Sequence, residues 1–208
     1  MKLKRENLAL YAVTDGRWAV KQSLPEQVEA AILGGVTMVQ IREKELDYQA
    51  FLEEAKVIQA ICKRYKVPLI INDNVELALE LDADGVHVGQ SDLEAQKARK
   101  ILGEDKIIGV TAKTVEQAKA AEAAGADYLG SGAVFGTSTK ADAKPMDLSL
   151  LKEITSSVSI PVVAIGGIDE SNAHKLKDTG IAGMAVVSGI FAKEDCRKAA
   201  EYLRSVEL

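Results

Sequence analysis

Apolar residues in this chain gather into eight short runs, at 8–15, 38–42, 68–73, 85–90, 107–112, 128–135, 161–167 and 184–191. Their length and their Val, Ile, Leu and Ala content read as strands. Helical patterns separate them, as at 48–65, 115–124 and 148–158. In the first of these Leu52, Ala55, Ile58 and Cys62 recur at the spacing of one helix face. Helix starts are marked by Ser23, with Pro25 in the first turn, and by Asp92, Thr114 and Asp147.

The break after each helix repeats as well. Ala30 to Val36, Leu81 to Val86, Ala123 to Tyr128 and Asp178 to Gly183 each run from a helix end through Gly or Asp-Gly toward a strand. Glycine adopts the left-handed conformation of a helix C-cap without steric cost. Strict β–α alternation predicts a parallel sheet of the α/β class. Eight units predict a closed (β/α)8 TIM barrel, one catalytic domain over residues 1–208, although about 250 residues is the usual length. An open doubly wound sheet is the alternative. It calls for G-x-G-x-x-G after the first strand, where this chain has Asp15-Gly16-Arg17-Trp18.

One strand departs from the apolar rule. Met38-Val39-Gln40-Ile41-Arg42-Glu43-Lys44 carries Gln40, Arg42 and Lys44 at alternate positions, which share a face if the strand runs through them. Both faces of a parallel sheet are covered, so such a face looks into a polar pocket, and two cations with an amide suit an anion with several oxygens.

Composition narrows the choice. With 208 residues, 47% hydrophobic and 27% charged, the chain is globular. Its net charge is −5 with no Lys/Arg-rich block, which argues against nucleic-acid or membrane-surface binding. An anion would therefore need a local cluster of cations. Cys62 and Cys196 have no metal-ligand spacing. The apolar run near the start, Leu8 to Val13, is too short for a signal segment, and no stretch approaches the roughly 20 apolar residues of a membrane span. A reducing cytoplasm is the expected compartment.

In a barrel of this kind function collects where strands end and βα loops begin. Asn72-Asp73 end the third strand, Gln90-Ser91-Asp92 the fourth and Thr111-Ala112-Lys113 the fifth; Thr137-Ser138-Thr139-Lys140 follow the sixth. Asp73 and Asp92 are paired carboxylates beside cations, an arrangement suited to Mg²⁺ with substrate phosphate oxygens; each could equally cap the next helix. Gly166-Gly167 and Ser188-Gly189 follow strands seven and eight, where barrels build phosphate sites from backbone N–H groups. His87 reads as a hydrogen-bonded core histidine, and His174 as a helix-surface residue.

Taken in order, Tyr11-Ala12-Val13-Thr14-Asp15, Val39 to Lys44, Ile71-Asn72-Asp73, Ala83 to Asp92, Gly132 to Lys140 and Val163 to Ile168 resemble the thiamine-phosphate synthase family. The resemblance implies a transferase that joins a hydroxymethylpyrimidine diphosphate to a thiazole phosphate and releases diphosphate. It implies that Gln40, Ile41, Arg42, Glu43, Lys44, Asn72, Thr111 and Lys140 contact the pyrimidine diphosphate, with Arg42, Lys44 and Lys140 catalytic. Asp73 and Asp92 would hold one Mg²⁺, and Thr137, Ser138, Thr139, Gly167, Val187 and Ser188 would meet the thiazole phosphate. A homodimer is implied by the same analogy. Thr111 stands where the family usually has Ser and Lys113 where it often has His. Ala133 and Gly136 replace usual prolines, which leaves more entropy to lose when that loop orders. The rival readings are a thiazole tautomerase, a sugar-phosphate epimerase on the same barrel and a sensor that binds without turnover.

Overall fold

The computed structural model describes residues 2–89, 92–136 and 145–208, with the backbone alone at 92–94. Eight parallel strands close in chain order: β1 (Leu10–Val13), β2 (Met38–Ile41), β3 (Leu69–Asn72), β4 (Gly85–Val88), β5 (Ile107–Thr111), β6 (Tyr128–Gly132), β7 (Val162–Ile165) and β8 (Gly183–Val186). The ring closes through β1 and β8, with Leu10 opposite Met184 and Ala12 opposite Val186. Closure leaves no sheet edge unpaired.

The described helices are α1 (Leu24–Leu33), α2 (Tyr48–Tyr65), α3 (Val75–Glu80), α4 (Asp92–Leu102), α5 (Val115–Ala123), α6 (Leu148–Ser157), α7 (Ser188–Phe191) and α8 (Cys196–Ser205). Between β7 and β8 the crossover carries a 3₁₀ turn, Ala173–Leu176, in place of an α-helix. That economy fits a barrel of 208 residues. The capping signals act as their chemistry dictates. Glu26 accepts from the Ser23 backbone N–H at 2.8 Å and from its hydroxyl at 2.7 Å, while Thr114 accepts from Gln117 N–H at 3.2 Å and Asp147 from Ser149 N–H at 2.8 Å.

Three sequence expectations are corrected. Residues 184–191 do not form one strand: pairing stops at Val186 and the chain turns into α7. A short apolar run fits a buried strand and a buried helix equally well. Gly85 is not a helix C-cap but the first residue of β4, and Asp82 takes the left-handed position with φ +50°. By contrast Gly125, with φ +88°, follows α5 as the pattern requires. Finally, β2 ends at Ile41 rather than running to Lys44.

Strand alternation sorts the core into two layers. Leu10, Val39, Ile41, Ile71, Val86, Val110, Leu129, Ala164 and Val186 point outward and pack under the helices. Leu8, Tyr11, Val13, Met38, Ile70, Ile107, Tyr128, Val163 and Ala185 fill the barrel axis.

The end where strands begin is sealed by a repeated device. The residue just before one strand accepts the first N–H of the preceding strand. Thr37 Oγ1 accepts from Leu10 N–H at 3.0 Å, Asp84 Oδ2 from Leu69 N–H at 2.9 Å, and Asp127 Oδ2 from Ile108 N–H, the second residue of its strand, at 2.7 Å. Arg99 of α4 locks the third of these. Its guanidinium donates to the carbonyls of Gly103, Lys106 and Gly125 and to Asp127 Oδ2 at 2.8 Å. Asp127→Ala leaves the Ile108 N–H and the Arg99 charge without this acceptor, and is expected to cost about 2 kcal/mol of stability. Urea denaturation measures it; a midpoint unchanged from the parent protein would refute the sealing role.

Candidate active site

A cavity of about 130 Å³ opens at the C-terminal ends of the strands. Its polar lining comes from Gln40 on β2, Arg42 just beyond it, Asn72 on β3, His87 on β4, and Thr111 and Lys113 at the end of β5. Its apolar lining includes Val13, Val163, Ile165 and Val187, and Gly130 and Gly132 leave the β6 wall bare of side chains. The result is a slot with side-chain amides, a hydroxyl and an imidazole inside and the cations Arg42 and Lys113 beside them. A second hollow, of about 430 Å³, lies at the opposite end among Lys2, Arg5, Glu104 and Lys106. It belongs to the face that stabilises such barrels rather than the face that carries their chemistry.

The floor of the slot is a hydrogen-bond chain, buried at Gln40, Tyr11 and Tyr128 and half-buried at His87 and Thr111. Gln40 Nε2 donates to the Tyr11 hydroxyl at 2.5 Å, and the Tyr11 and Tyr128 hydroxyls meet at 2.8 Å. Tyr128 Oη lies 3.0 Å from His87 Nδ1, and His87 Nε2 lies 3.0 Å from Thr111 Oγ1. Burial pushes both tyrosine hydroxyls well above the usual phenol range, so both keep their protons. Tyr128 approaches His87 because the inward position between Ile107 and Thr111 is Gly109. A Cβ there would overlap the Tyr128 ring and stand 2.5 Å from His87 Nδ1.

The expected face of Gln40, Arg42 and Lys44 is divided. Gln40 and Arg42 line the slot, but Lys44 lies in neighbouring grooves, one of them shared with Asn72, Asp73 and Lys97. Alternation persists only while the ladder does. After Ile41 the Arg42 N–H turns to Thr14 Oγ1 at 3.0 Å, and the chain leaves the sheet. Ile41 itself points outward and is fully buried under the helices, so its side chain does not reach the slot.

Asp73 sits just past β3 with φ +59°, exposed, and accepts from Asn72 Nδ2 at 2.7 Å. Asn72 lines both the slot and the Asp73–Lys44 groove, so the two hollows adjoin. Gly167 has φ +68° and lies against the Gly136 carbonyl, where a Cβ would overlap it; its neighbour Gly166 lines the slot. Val187 lines the slot, and Ser188 opens α7 beside it. The side chain of Asp92, and Thr137, Ser138, Thr139 and Lys140, lie outside the described residues. Among the described residues no three His, Cys, Asp or Glu side chains are grouped to hold a metal ion. None of the described helices is long and apolar enough to cross a membrane.

Charge is organised around Arg42. Asp15 is bound in bidentate fashion by Arg17, Nε to Oδ1 at 2.9 Å and Nη2 to Oδ2 at 2.6 Å, and this holds its carboxyl below the usual carboxylate range. Burial pushes the Glu43 carboxyl up, and burial with the Glu43 charge does the same to Glu54 of α2. Glu43 fits because residue 16 is glycine; a Cβ there would stand 2.7 Å from Glu43 Oε1. Sequence reasoning passed over Tyr11 and Tyr128 and read Glu54, with Glu53, as a solvated face, whereas Glu54 is half-buried. The glycines at 130 and 132 were the available signal for Tyr128, since all three share one face of β6.

Comparison with known proteins agrees with this geometry. A family model described as thiamine monophosphate synthase matches residues 10–190. A thiamine-phosphate synthase of Clostridium tetani is 51% identical over 203 residues, covering 98% of this chain and 97% of its own. That of Ruminiclostridium cellulolyticum is 52% identical, over 95% of this chain and 94% of its own. A solved thiamine phosphate pyrophosphorylase from Pyrococcus furiosus superposes with a TM-score of 0.88 at 40% identity, covering 96% and 95% of the two chains. A barrel of this form with this family match over nearly its whole length belongs to the thiamine monophosphate synthase family.

Proposed function

We propose that the protein joins the methylene carbon of 4-amino-2-methyl-5-hydroxymethylpyrimidine diphosphate to the ring nitrogen of 4-methyl-5-(2-phosphooxyethyl)thiazole. The products are thiamine phosphate and diphosphate. Family membership supports the reaction. The observation that carries the reading is the slot itself: apolar walls from Val13, Val163, Ile165 and Val187, with Gln40, Asn72 and Thr111 inside and Arg42 and Lys113 beside them.

The mechanism follows from where charge develops. The C–O bond to diphosphate breaks with its electron pair leaving on oxygen, and the aminopyrimidine spreads the positive charge left on the methylene carbon. The thiazole nitrogen lone pair then forms the C–N bond. No protein nucleophile is required. Arg42, Lys44 and Lys140 are assigned to the growing negative charge, where preorganised cations stabilise a transition state most. Gln40, Asn72 and Thr111 are assigned to hold the pyrimidine so that the leaving oxygen, the methylene carbon and the thiazole nitrogen meet in line. Thr137, Ser138, Thr139, Gly167, Val187 and Ser188 are assigned to the thiazole phosphate, with backbone N–H groups as donors.

Asp73 and Asp92 are assigned to one Mg²⁺. Asp73 suits it: an exposed carboxylate, a hard oxygen donor, in the groove that also holds Lys44. When bound, magnesium supplies positive charge to the departing diphosphate. Asp73 and Asn72 hold that region in place through their mutual hydrogen bond.

Incubation of both substrates with Mg²⁺ is expected to yield thiamine phosphate and diphosphate in equal amounts. A tautomerase, an epimerase or a sensor would yield neither, and that result would end the proposal. Asp73→Asn and Asp92→Asn are each expected to lower the rate on the order of 100-fold, with the circular-dichroism spectrum unchanged. Parental rates in both variants would remove the metal assignment.

A further inference from the structure

We propose that Tyr11, Tyr128 and His87 form a proton-ordered chain that makes Thr111 a hydrogen-bond donor to a ring nitrogen of the pyrimidine, with Tyr128 as the positioning residue. The proposal deepens the function above and rests on it for the identity of the ligand.

Proton accounting sets the direction. The Tyr11 hydroxyl has two partners, Gln40 and Tyr128. It accepts from the Gln40 amide N–H₂, so its own proton goes to Tyr128 Oη. Tyr128 then accepts from Tyr11 and donates to His87 Nδ1 at 3.0 Å. A neutral imidazole whose Nδ1 accepts carries its proton on Nε2. Nε2–H donates to Thr111 Oγ1 at 3.0 Å. Thr111 has thereby accepted, and its own proton is directed into the slot that it lines. Every hydroxyl in this order accepts once and donates once.

The opposite order needs the Gln40 amide reversed, so that its oxygen accepts from Tyr11. Each proton then shifts by one place, His87 carries its proton on Nδ1, and Thr111 presents lone pairs to the slot. The two orders thus recognise different ligand atoms: a ring nitrogen in the first, an N–H in the second. Phenols kept protonated by burial transmit either order without ionising. The chain is also guarded sterically. Gly109 admits Tyr128 and His87 to each other, and at Gly130 a Cβ would stand 3.1 Å from His87 Cε1. The β5 and β6 glycines hold the imidazole's space open, so its orientation is fixed by neighbours rather than chosen by the ligand.

The test reads the tautomer directly. The chain has two histidines, and His174 is exposed, so ¹⁵N-histidine labelling in a His174→Gln background isolates the His87 ring. The expected spectrum has a protonated Nε2 and a bare Nδ1; a protonated Nδ1 in the neutral ring would overturn the proposal. In Tyr128→Phe the fixed tautomer is expected to give way to a mixture. The same variant is expected to raise KM for the pyrimidine diphosphate about tenfold with kcat within about twofold, the loss of one hydrogen bond common to ground and transition states. Thr111→Val is expected to match it, the double variant to add nothing further, and Thr111→Ser to restore the parental KM. A Tyr128→Phe protein that keeps both the Nε2–H tautomer and the parental KM would overturn the positioning role. If Tyr128→Phe failed to fold, the parental spectrum and the Thr111 variants would still decide. Absence of product from the unaltered protein would sink the function alone, because the ¹⁵N spectrum does not depend on turnover.

Discussion

Closing eight parallel strands into a cylinder removes water from its axis, so each polar atom that points inward must find a partner in the protein. This constraint shapes the centre of the molecule. Gln40, Tyr11, Tyr128, His87 and Thr111 come from β2, β1, β6, β4 and β5, and they satisfy one another in sequence. A chain that crosses the barrel in this way ties the slot's floor to five strands at once. Loss of Tyr11 or Tyr128 leaves a neighbour unpaired in the buried part of the chain, where the penalty is greatest. The glycines at 109 and 130 are the complement of that chain, since the space they vacate is taken by the Tyr128 and His87 rings, while at Gly132 a Cβ would strike the Ile165 carbonyl of β7.

The two ends of the barrel divide the work. Where strands begin, Thr37, Asp84, Asp127 and Arg99 spend their polar groups on backbone N–H and C=O groups, which fixes the strands in register. Where strands end, the ladder releases the chain early and polar side chains are left for a ligand. The release after Ile41 is the clearest case. Arg42 stays over the slot, held through its backbone to Thr14, while Lys44 is carried outward to the groove of Asp73. One short segment therefore delivers cations to two adjoining hollows, which is what a pyrimidine ring with a diphosphate tail requires.

Much of this was legible in the sequence, and the gaps have physical causes. The β–α alternation, the capping residues and the span of α2 follow from local chemistry that tertiary contacts do not override. The eighth strand was overread because Gly189, Ile190 and Phe191 are buried in this helix, as they would be in a strand. Lys44 was misplaced because period-two alternation says nothing about where pairing stops. His87 is hydrogen-bonded as expected but lines the slot instead of lying in the core, and its partners Tyr128 and Thr111 are 41 and 24 positions away, so only closure brings them together. Glu54 was misread as solvated, because a carboxylate on a helix reads so until the neighbouring Glu43 and the packing around it are known.

The central claim is that Arg42, Lys44 and Asp73 cradle a departing diphosphate at the mouth where strands end. A crystal soaked with inorganic diphosphate and Mg²⁺ tests it most directly. The account predicts the anion between the Arg42 and Lys44 side chains, with the metal on Asp73 and the slot left free for the pyrimidine. Diphosphate bound instead among Lys2, Arg5 and Lys106 at the opposite end, with the mouth empty, would contradict it.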